Sequence, residues 1–308
     1  MSKSVGQIIV VGSGAGGAMA AYTLAKAGHK VLMLEAGRDY DPVTETPMFK
    51  LKGEAPLMGA GNNDKDFGYY DATIDGGWSV PNEPYTTAEG SEFKWWRARM
   101  LGGRTNHWGR YSLRFSHHDF KGKSRDGLGA DWPFEYDELA PWYDLTEELI
   151  GVCGTNTGLD DMPDSAEGIL QPPPTPRIPE LLLAAAAKKL GIATAPMHRA
   201  VLTRPKDNRA ACFYATPCGH GCSIGAAFQT TTSLIPMAKA TGNLQIITDA
   251  MVKEINVDGQ GKVTAISYVD KNTSETISLA TRVIILAASA CESTQFKKQQ
   301  TSQRFSKF

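Results

Sequence analysis

Three glycines and one acid come first among the residues whose types and spacing could do chemistry. Gly12, Gly14 and Gly17 fit G-x-G-x-x-G, and Glu35 follows a second apolar run. Glycines so spaced give a tight turn, a close approach of backbone to a pyrophosphate, and close packing of helix on strand. A carboxylate at Glu35 can accept hydrogen bonds from the ribose hydroxyls of an adenosine. A second group lies in residues 94–115, where Gly102 and Gly103 stand near Arg97, Arg99, Arg104 and Arg110. The polar run Arg104-Thr105-Asn106-His107 then falls between aromatic-rich segments. Polar donors beside glycines and a tryptophan can wall a flat heteroaromatic ring; a glycine turn with ordinary packed aromatics is the alternative. The third group is Cys212, Cys218 and Cys222, spaced C-x5-C-x3-C with Pro217, Gly219 and Gly221 between them. Three thiolates suit an iron–sulfur cluster with three protein ligands. Zinc would need His220 as a fourth ligand, across awkward one-residue gaps. Buried or paired cysteines without metal are the third reading.

The elements that must position these groups follow from local pattern. Residues 8–11 are apolar and β-branched throughout, as in a strand buried on both faces of a parallel sheet. Residues 15–27 are rich in Ala and Leu and predict a helix stopped by Gly28. Its N-terminus offers unpaired N–H groups and a positive dipole end to phosphate. Residues 31–34 are the second strand, with Glu35 at its end. Strand, glycines, helix, strand and acid in immediate succession predict dinucleotide binding. Residues 39–56 carry Pro42, Pro47 and Pro56, and glycines continue the loop character up to Trp78, an excursion of the length that often covers a ligand. Residues 132–152 predict a packing helix starting at Pro133, with Leu139, Trp142, Leu145 and Leu149 on its inner face. Residues 154–179 read as a linker and 180–190 as a short helix closed by Gly191. Residues 229–240 read as a helix. Strands at 244–248, 251–257, 263–269 and 276–279 make a β-meander feeding a buried strand at 282–288. Residues 289–293 suit a helix start at the ligand, and the polar residues after Thr294 show no periodicity.

The chain has 308 residues, room for two structural lobes. A net charge of −1 argues against nucleic acid or an anionic membrane surface as partner. An apolar content of 42% excludes wholesale disorder, and no apolar run reaches the length of a membrane span. The N-terminus leads at once into the first strand, so no signal peptide is expected. Five cysteines do not make a disulfide scaffold in a chain of this size.

The sequence resembles the glucose–methanol–choline (GMC) flavoprotein oxidoreductases. The resemblance rests on Gly12-Ser-Gly-Ala-Gly-Gly17 with Glu35-Ala36-Gly37, and on Arg99-Met-Leu-Gly-Gly-Arg-Thr-Asn-His-Trp-Gly109 with Arg114-Phe115. It rests also on the meander ending in Val283-Ile-Ile-Leu-Ala-Ala-Ser-Ala-Cys-Glu-Ser293, and it covers residues 5–294. It implies an α/β fold with a Rossmann-like FAD-binding domain and β-meander, made discontinuously from residues 1–115 and 205–295. Residues 116–204 would then be part of a second, substrate or cap lobe with its linker, and 296–308 an unstructured tail.

The implied cofactor is FAD rather than NAD. The resemblance places Gly12, Gly14 and Gly17 at the diphosphate and Glu35 at the adenosine ribose, with Ala36 also among the cofactor-binding residues. It sets Gly103, Asn106 and His107 against the diphosphate and flavin, and the Val252 backbone at the adenine. His107 aligns with the histidine bonded to flavin in pyranose oxidases, where Thr-His-Trp stands in place of Asn106-His-Trp108. Packing beside the ring without a covalent bond is the alternative there.

The implied reaction oxidises a CH–OH group of a sugar, polyol or alcohol, with hydride passing to flavin N5. Its histidine base is expected beyond Phe308, because His117, His118, His198 and His220 do not match the family motif. The chain therefore reads as the N-terminal portion of a longer enzyme; an inactive flavin-binding remnant or electron-transfer piece is the alternative. The cysteines are similar to those of bacterial FAD-dependent glucose, sorbitol and gluconate dehydrogenase subunits, which implies a 3Fe-4S cluster on Cys212, Cys218 and Cys222. Ala215 stands where many relatives carry a further cysteine. The same relatives imply an electron-accepting cytochrome subunit and a small export or chaperone subunit as partners, working on the periplasmic side. Neither nucleic acid nor a membrane span of the chain's own is expected.

Overall fold

The computed structural model describes residues 8–45, 76–77, 80, 83–214 and 218–300. The elements used below are, in chain order, β1 (Ile8–Val11), α1 (Ala15–Lys26), β2 (Val31–Leu34), α2 (Tyr136–Ile150), α3 (Ile178–Lys189) and α4 (Leu234–Ala240). They continue with β3 (Leu244–Ile247), β4 (Ala250–Val257), β5 (Val263–Asp270), β6 (Thr276–Ala280), β7 (Ile284–Leu286) and α5 (Ser289–Gln300). The chain divides into two compact units. The first holds Met1–Trp108, Pro217–Ser223 and Gln229–Phe308; the second holds Gly109–Thr216 and Ile224–Phe228.

The first unit is built on a parallel sheet of order β3-β2-β1-β7. Ile8 pairs with Val31, Val31 with Leu244, and Ile9 with Ile284. The apolar runs expected as strands form it, because both faces of β1 and β2 are covered: Val10, Val31 and Met33 have no exposed surface. Small residues Ala18, Ala21 and Ala25 make the buried face of α1, which packs with α4 and with β1 and β2. The meander is antiparallel, of order β4-β5-β6. Its Ala250, Val252, Ile266 and Tyr268 share one core with Ile9, Val11, Leu32 and Leu34 of the parallel sheet. The α/β fold with a Rossmann-like sheet and meander is thus as expected.

Four details differ. Residues 244–247, grouped with the meander by sequence, join the parallel sheet beside β2 instead. The strand expected to be buried at 282–288 is the shorter β7, half-buried at the edge of the sheet among the described residues. The expected helix at 229–240 breaks into a 3-10 turn, Thr230–Thr232, and α4, because Ser233 leaves helical geometry at φ −132° and ψ −90°. Finally, the helix α5 continues through Gln300, where the tail was expected to begin at 296. Its Lys and Gln residues form helix readily even without an apolar stripe.

In the second unit, α2 starts at Tyr136 rather than at Pro133, with Glu135 and Glu138 forming a reciprocal cap. The stripe expected to pack does so only in part: Trp142 is 64% and Leu145 57% exposed, while Leu139 and Leu149 are half-buried. The buried face carries Tyr136, Glu147 and Ile150 instead. Residues 154–179, read as a linker, are pinned at their start, since Cys153 bridges both Gln171 and Arg199. His198 is sealed in this unit, with Nε2 3.2 Å from the Thr155 carbonyl oxygen.

Candidate functional site

The glycine turn between β1 and α1 lies at the carboxyl end of the parallel strands, where ligands bind in open α/β sheets. Gly12 has φ +95°, and a Cβ there would stand 2.5 Å from the Ala287 carbonyl oxygen. A Cβ on Gly17 would collide with the Gly12 carbonyl oxygen. Both glycines therefore serve the fold: one makes the turn beside the end of β7, the other lets α1 lie on it. Gly14 differs. It caps α1 at its N-terminus without a side-chain hydrogen bond, and a Cβ there would meet nothing within 4 Å. The first turn of α1 carries no acidic side chain, and Ala15 and Gly16 are exposed. Open backbone N–H groups at a positive dipole end are what a diphosphate requires.

Glu35 ends β2 and is 7% exposed. Its Oε2 accepts from both the backbone N–H of Ser13 at 2.9 Å and the Ser13 hydroxyl, and its Oε1 accepts from the Gly37 N–H at 2.8 Å. Three donors fix the carboxylate, and each oxygen keeps acceptor capacity for a ribose hydroxyl. Ala36 follows in the bend and is half-buried. Gly37 has no room for a side chain, because a Cβ would collide with the Arg99 and Met100 backbone.

The second motif comes to the same turn. Gly102 (φ +87°) leads into a 3-10 turn, Gly103–Asn106. The Gly102 N–H donates to the Ser13 hydroxyl oxygen at 2.8 Å. Thr105 Oγ1 donates to the Gly102 carbonyl oxygen and accepts from the Thr230 N–H, while Thr230 Oγ1 donates to the Ser13 carbonyl oxygen. Asn106 is fully buried, donating to the Leu101 carbonyl oxygen at 2.9 Å and accepting from the Thr231 hydroxyl at 3.1 Å. Its amide thus braces the loop. Gly103 faces open space, and a Cβ there would meet nothing within 4 Å. The His107 ring stands edge-on to Trp96 at 6.2 Å between centroids. Arg104 is exposed, with Nη2 3.4 Å from the Ser289 hydroxyl oxygen at the start of α5. Val252 is 7% exposed, in the meander strand that follows the Glu35–Ala250 backbone hydrogen bond.

Gly12, Gly14, Gly17, Glu35, Ala36, Gly103 and Asn106 therefore gather around one turn. Sequence reasoning missed Ser13 and Thr230, which with Thr105 of the polar run knit that turn together. A hydroxyl in the x position of G-x-G, facing an acid at the end of the next strand, was the available signal. Sequence reasoning named Arg97 and Arg99 beside the site but not their acidic partners. Arg99 pairs with Glu83 at 2.6 Å and with Glu292 of α5 at 2.9 Å. Burial works to lower the Arg99 pKa, yet the two carboxylates outweigh it and raise it. Arg97 is lowered, by burial first and by the Arg99 charge next.

Cys222 is 2% exposed, its N–H held by Gln229 Oε1 at 2.8 Å. Cys218 opens a short 3-10 turn in the first unit, whereas Cys212 belongs to the second. Among the described residues no group of three His, Cys, Asp or Glu side chains is placed to hold a metal ion. Residues 215–217, between the first two cysteines, lie outside the described residues. Pro42 starts a short helix, Pro42–Glu45, in the stretch expected to be irregular; most of the long excursion up to Trp78 also lies outside the described residues.

Comparisons with known proteins give the family and the fold. Residues 7–299 match the GMC oxidoreductase family. The chain is 29% identical over 295 residues to 6'''-hydroxyparomomycin C oxidase of Streptomyces lividus, covering 94% of this chain and 49% of that protein. It is 27% identical over 299 residues to the fructose dehydrogenase large subunit of Gluconobacter japonicus, covering 92% of this chain and 52% of that protein. The crystal structure of pyridoxine 4-oxidase from Mesorbium loti shares the fold, with a TM-score of 0.54 at 19% identity over 93% of this chain and 50% of that one. The chain spans about half the length of the curated relatives it matches.

Proposed function

The chain belongs to the GMC oxidoreductase family, and on that premise we propose that it binds FAD and serves the oxidation of a CH–OH group in a sugar, polyol or alcohol. The observation that carries this reading is the open, uncapped N-terminus of α1 beside a carboxylate already held in place. Gly14 and the first turn of α1 would take the diphosphate, and Glu35 a ribose hydroxyl. Gly103 leaves room for the ligand to pass, and Asn106 keeps that loop rigid. Bound FAD supplies a ring that accepts hydride. The chain's own residues bind and orient: they contribute fixed donors, a buried acid and a water-poor knot behind the turn.

No base is assigned in this chain. His117 is exposed beside Asp137, and His198 is sealed inside the second unit. No iron–sulfur step is built into the proposal; a cluster on Cys212, Cys218 and Cys222 is a finer form of the reading that rests on the cysteine spacing alone. The relative named as a large subunit supports work beside other subunits; a narrower form of the reading, resting on the resemblance, makes these an electron-accepting cytochrome subunit and a small export or chaperone subunit. Among the described residues no helix is long and apolar enough to cross a membrane.

A second reading is flavin binding without substrate oxidation by the chain itself. One experiment separates the outcomes. The purified 308-residue protein is passed over gel filtration, titrated with FAD, and mixed anaerobically with a panel of sugars and primary alcohols. A retained flavin spectrum supports FAD binding, and bleaching by a substrate supports the first reading over the second. Protein that stays colourless and binds no added FAD overturns both.

A further inference from the structure

Ser13 occupies the x position of G-x-G, where the motif asks nothing of a side chain, yet it is fully buried and every polar atom it has is engaged. Its N–H and O–H both donate to Glu35 Oε2. Its hydroxyl oxygen accepts from the Gly102 N–H at 2.8 Å, and its carbonyl oxygen accepts from the Thr230 hydroxyl at 3.1 Å. One residue thus joins the glycine turn, the acid at the end of β2, the Gly102 loop and the segment before α4.

We propose that Ser13 is a positioning residue for nucleotide binding, acting through Glu35: its hydroxyl sets the carboxylate and the Gly102 loop in one register. The inference rests on the FAD reading above and names the residue that makes that site a single unit. The chemistry is specific to a hydroxyl. Only a group that donates and accepts at once can satisfy a carboxylate on one side and an amide N–H on the other. Without it, the Gly102 N–H loses its acceptor in a dry setting, and Glu35 Oε2 keeps one donor of two. The carboxylate is then held by backbone alone, by the N–H of residue 13 on Oε2 and that of Gly37 on Oε1. A donor to a carboxylate is stronger than a neutral hydrogen bond, so its loss is felt at the ligand through the orientation of the acid.

The test is a double-mutant cycle on FAD affinity, by calorimetric titration of the full chain. The proteins are wild type, Ser13→Ala, Glu35→Gln and the double variant, with the melting temperature of each apoprotein as a parallel readout. Ser13→Ala is expected to weaken FAD binding about tenfold to a hundredfold. In the Glu35→Gln background the same change is expected to cost less than about threefold, because the group through which it acts is already lost. Equal losses in both backgrounds overturn the proposal, since a hydroxyl that merely packs does not couple to Glu35. Unchanged affinity in Ser13→Ala overturns it as well. Should Ser13→Ala fail to fold, Ser13→Cys, which keeps a weaker donor, takes its place in the cycle under the same two criteria. Wild-type protein that binds no FAD overturns the cofactor reading itself, and this inference with it.

Discussion

Arg114 and Glu147 face each other inside the second unit, each 4% exposed. Arg114 Nε donates to Glu147 Oε1 at 2.9 Å and Nη2 donates to Oε2. Ser165 donates its hydroxyl to the same Oε2, the Tyr136 hydroxyl oxygen accepts from Arg114 Nη1, and Asp144 takes a further guanidinium bond. This pair sets the rotation of α2. Turning Leu145 inward would turn Glu147 outward and leave a buried guanidinium without its carboxylate, a larger penalty than exposing one leucine.

Glu147→Ala is therefore expected to destabilise the protein by about 3 kcal/mol, because it removes the bidentate carboxylate from buried Arg114 and leaves it only Asp144. Arg114→Met combined with Glu147→Leu should lose far less, as it removes both charges and keeps the volume. Urea denaturation followed by tryptophan fluorescence measures both. A loss in Glu147→Ala no greater than the roughly 0.5 kcal/mol of an ordinary surface change contradicts the account.

Acid should act on the same network through Asp144. Burial pushes its carboxyl up, but the Ala166 N–H and the Arg114 guanidinium hold it below the usual carboxylate value. A depressed folded-state pKa means stability fully present above the unfolded value of about 4 and lost as pH falls through the folded one. Melting temperatures of the wild type and Asp144→Asn, taken from pH 7 downward, should differ near neutrality and converge below about pH 4. A gap that stays constant with pH would remove Asp144 from the network.

The three motif glycines should separate into two kinds. Gly17→Ala drives a methyl into the Gly12 carbonyl and is expected to disrupt the fold, lowering the melting temperature with or without ligand. Gly14→Ala has open space and φ −63°, so the apoprotein should keep its stability within about 1 kcal/mol. Its methyl would instead stand where a diphosphate has to approach, and FAD binding should fall. Apoprotein melting and FAD titration of each variant give the comparison; equal behaviour of the two would mean that Gly14 does not face the ligand.

What could be read from the sequence was what is local. The β-branched run at Ile8–Val11, the glycine spacing and the alternation through β4 and β5 are each decided within a few residues of chain. The place of Leu244–Ile247 was not local. A short apolar strand next to a meander reads as part of it, and only pairing with distant Val31 assigns it to the parallel sheet. Apolar periodicity likewise pointed α2 the wrong way, because a count of apolar residues cannot register Arg114, which lies outside the helix. The site was legible in its glycines and acid, where backbone geometry dictates residue type. It was not legible in Ser13 or Thr230, whose hydroxyls become meaningful only once the turns they join are side by side.

Arg99 and Glu292 give the last expectation. The backbone of Arg99 lies against Gly37, just past the Glu35 carboxylate; the Arg38 N–H donates to the Arg99 carbonyl oxygen at 3.3 Å, and the Leu101 N–H donates to the Arg38 carbonyl oxygen at 2.8 Å. Its side chain reaches Glu83 and Glu292, each contact largely shielded from water. One residue therefore clips the turn after β2 to the first turn of α5. Arg99→Ala should cost about 1.5–3 kcal/mol per charged hydrogen bond lost, with the Glu292 share appearing as faster exchange of the α5 amides. Glu292→Gln, which keeps an acceptor but removes the charge, should loosen α5 by less and leave the Glu83 side intact. Hydrogen exchange resolved to α5 reads both variants. Protection of α5 unchanged in Arg99→Ala would show that the helix is held by its apolar contacts, such as Phe296 against the sheet core, and not by this ion pair.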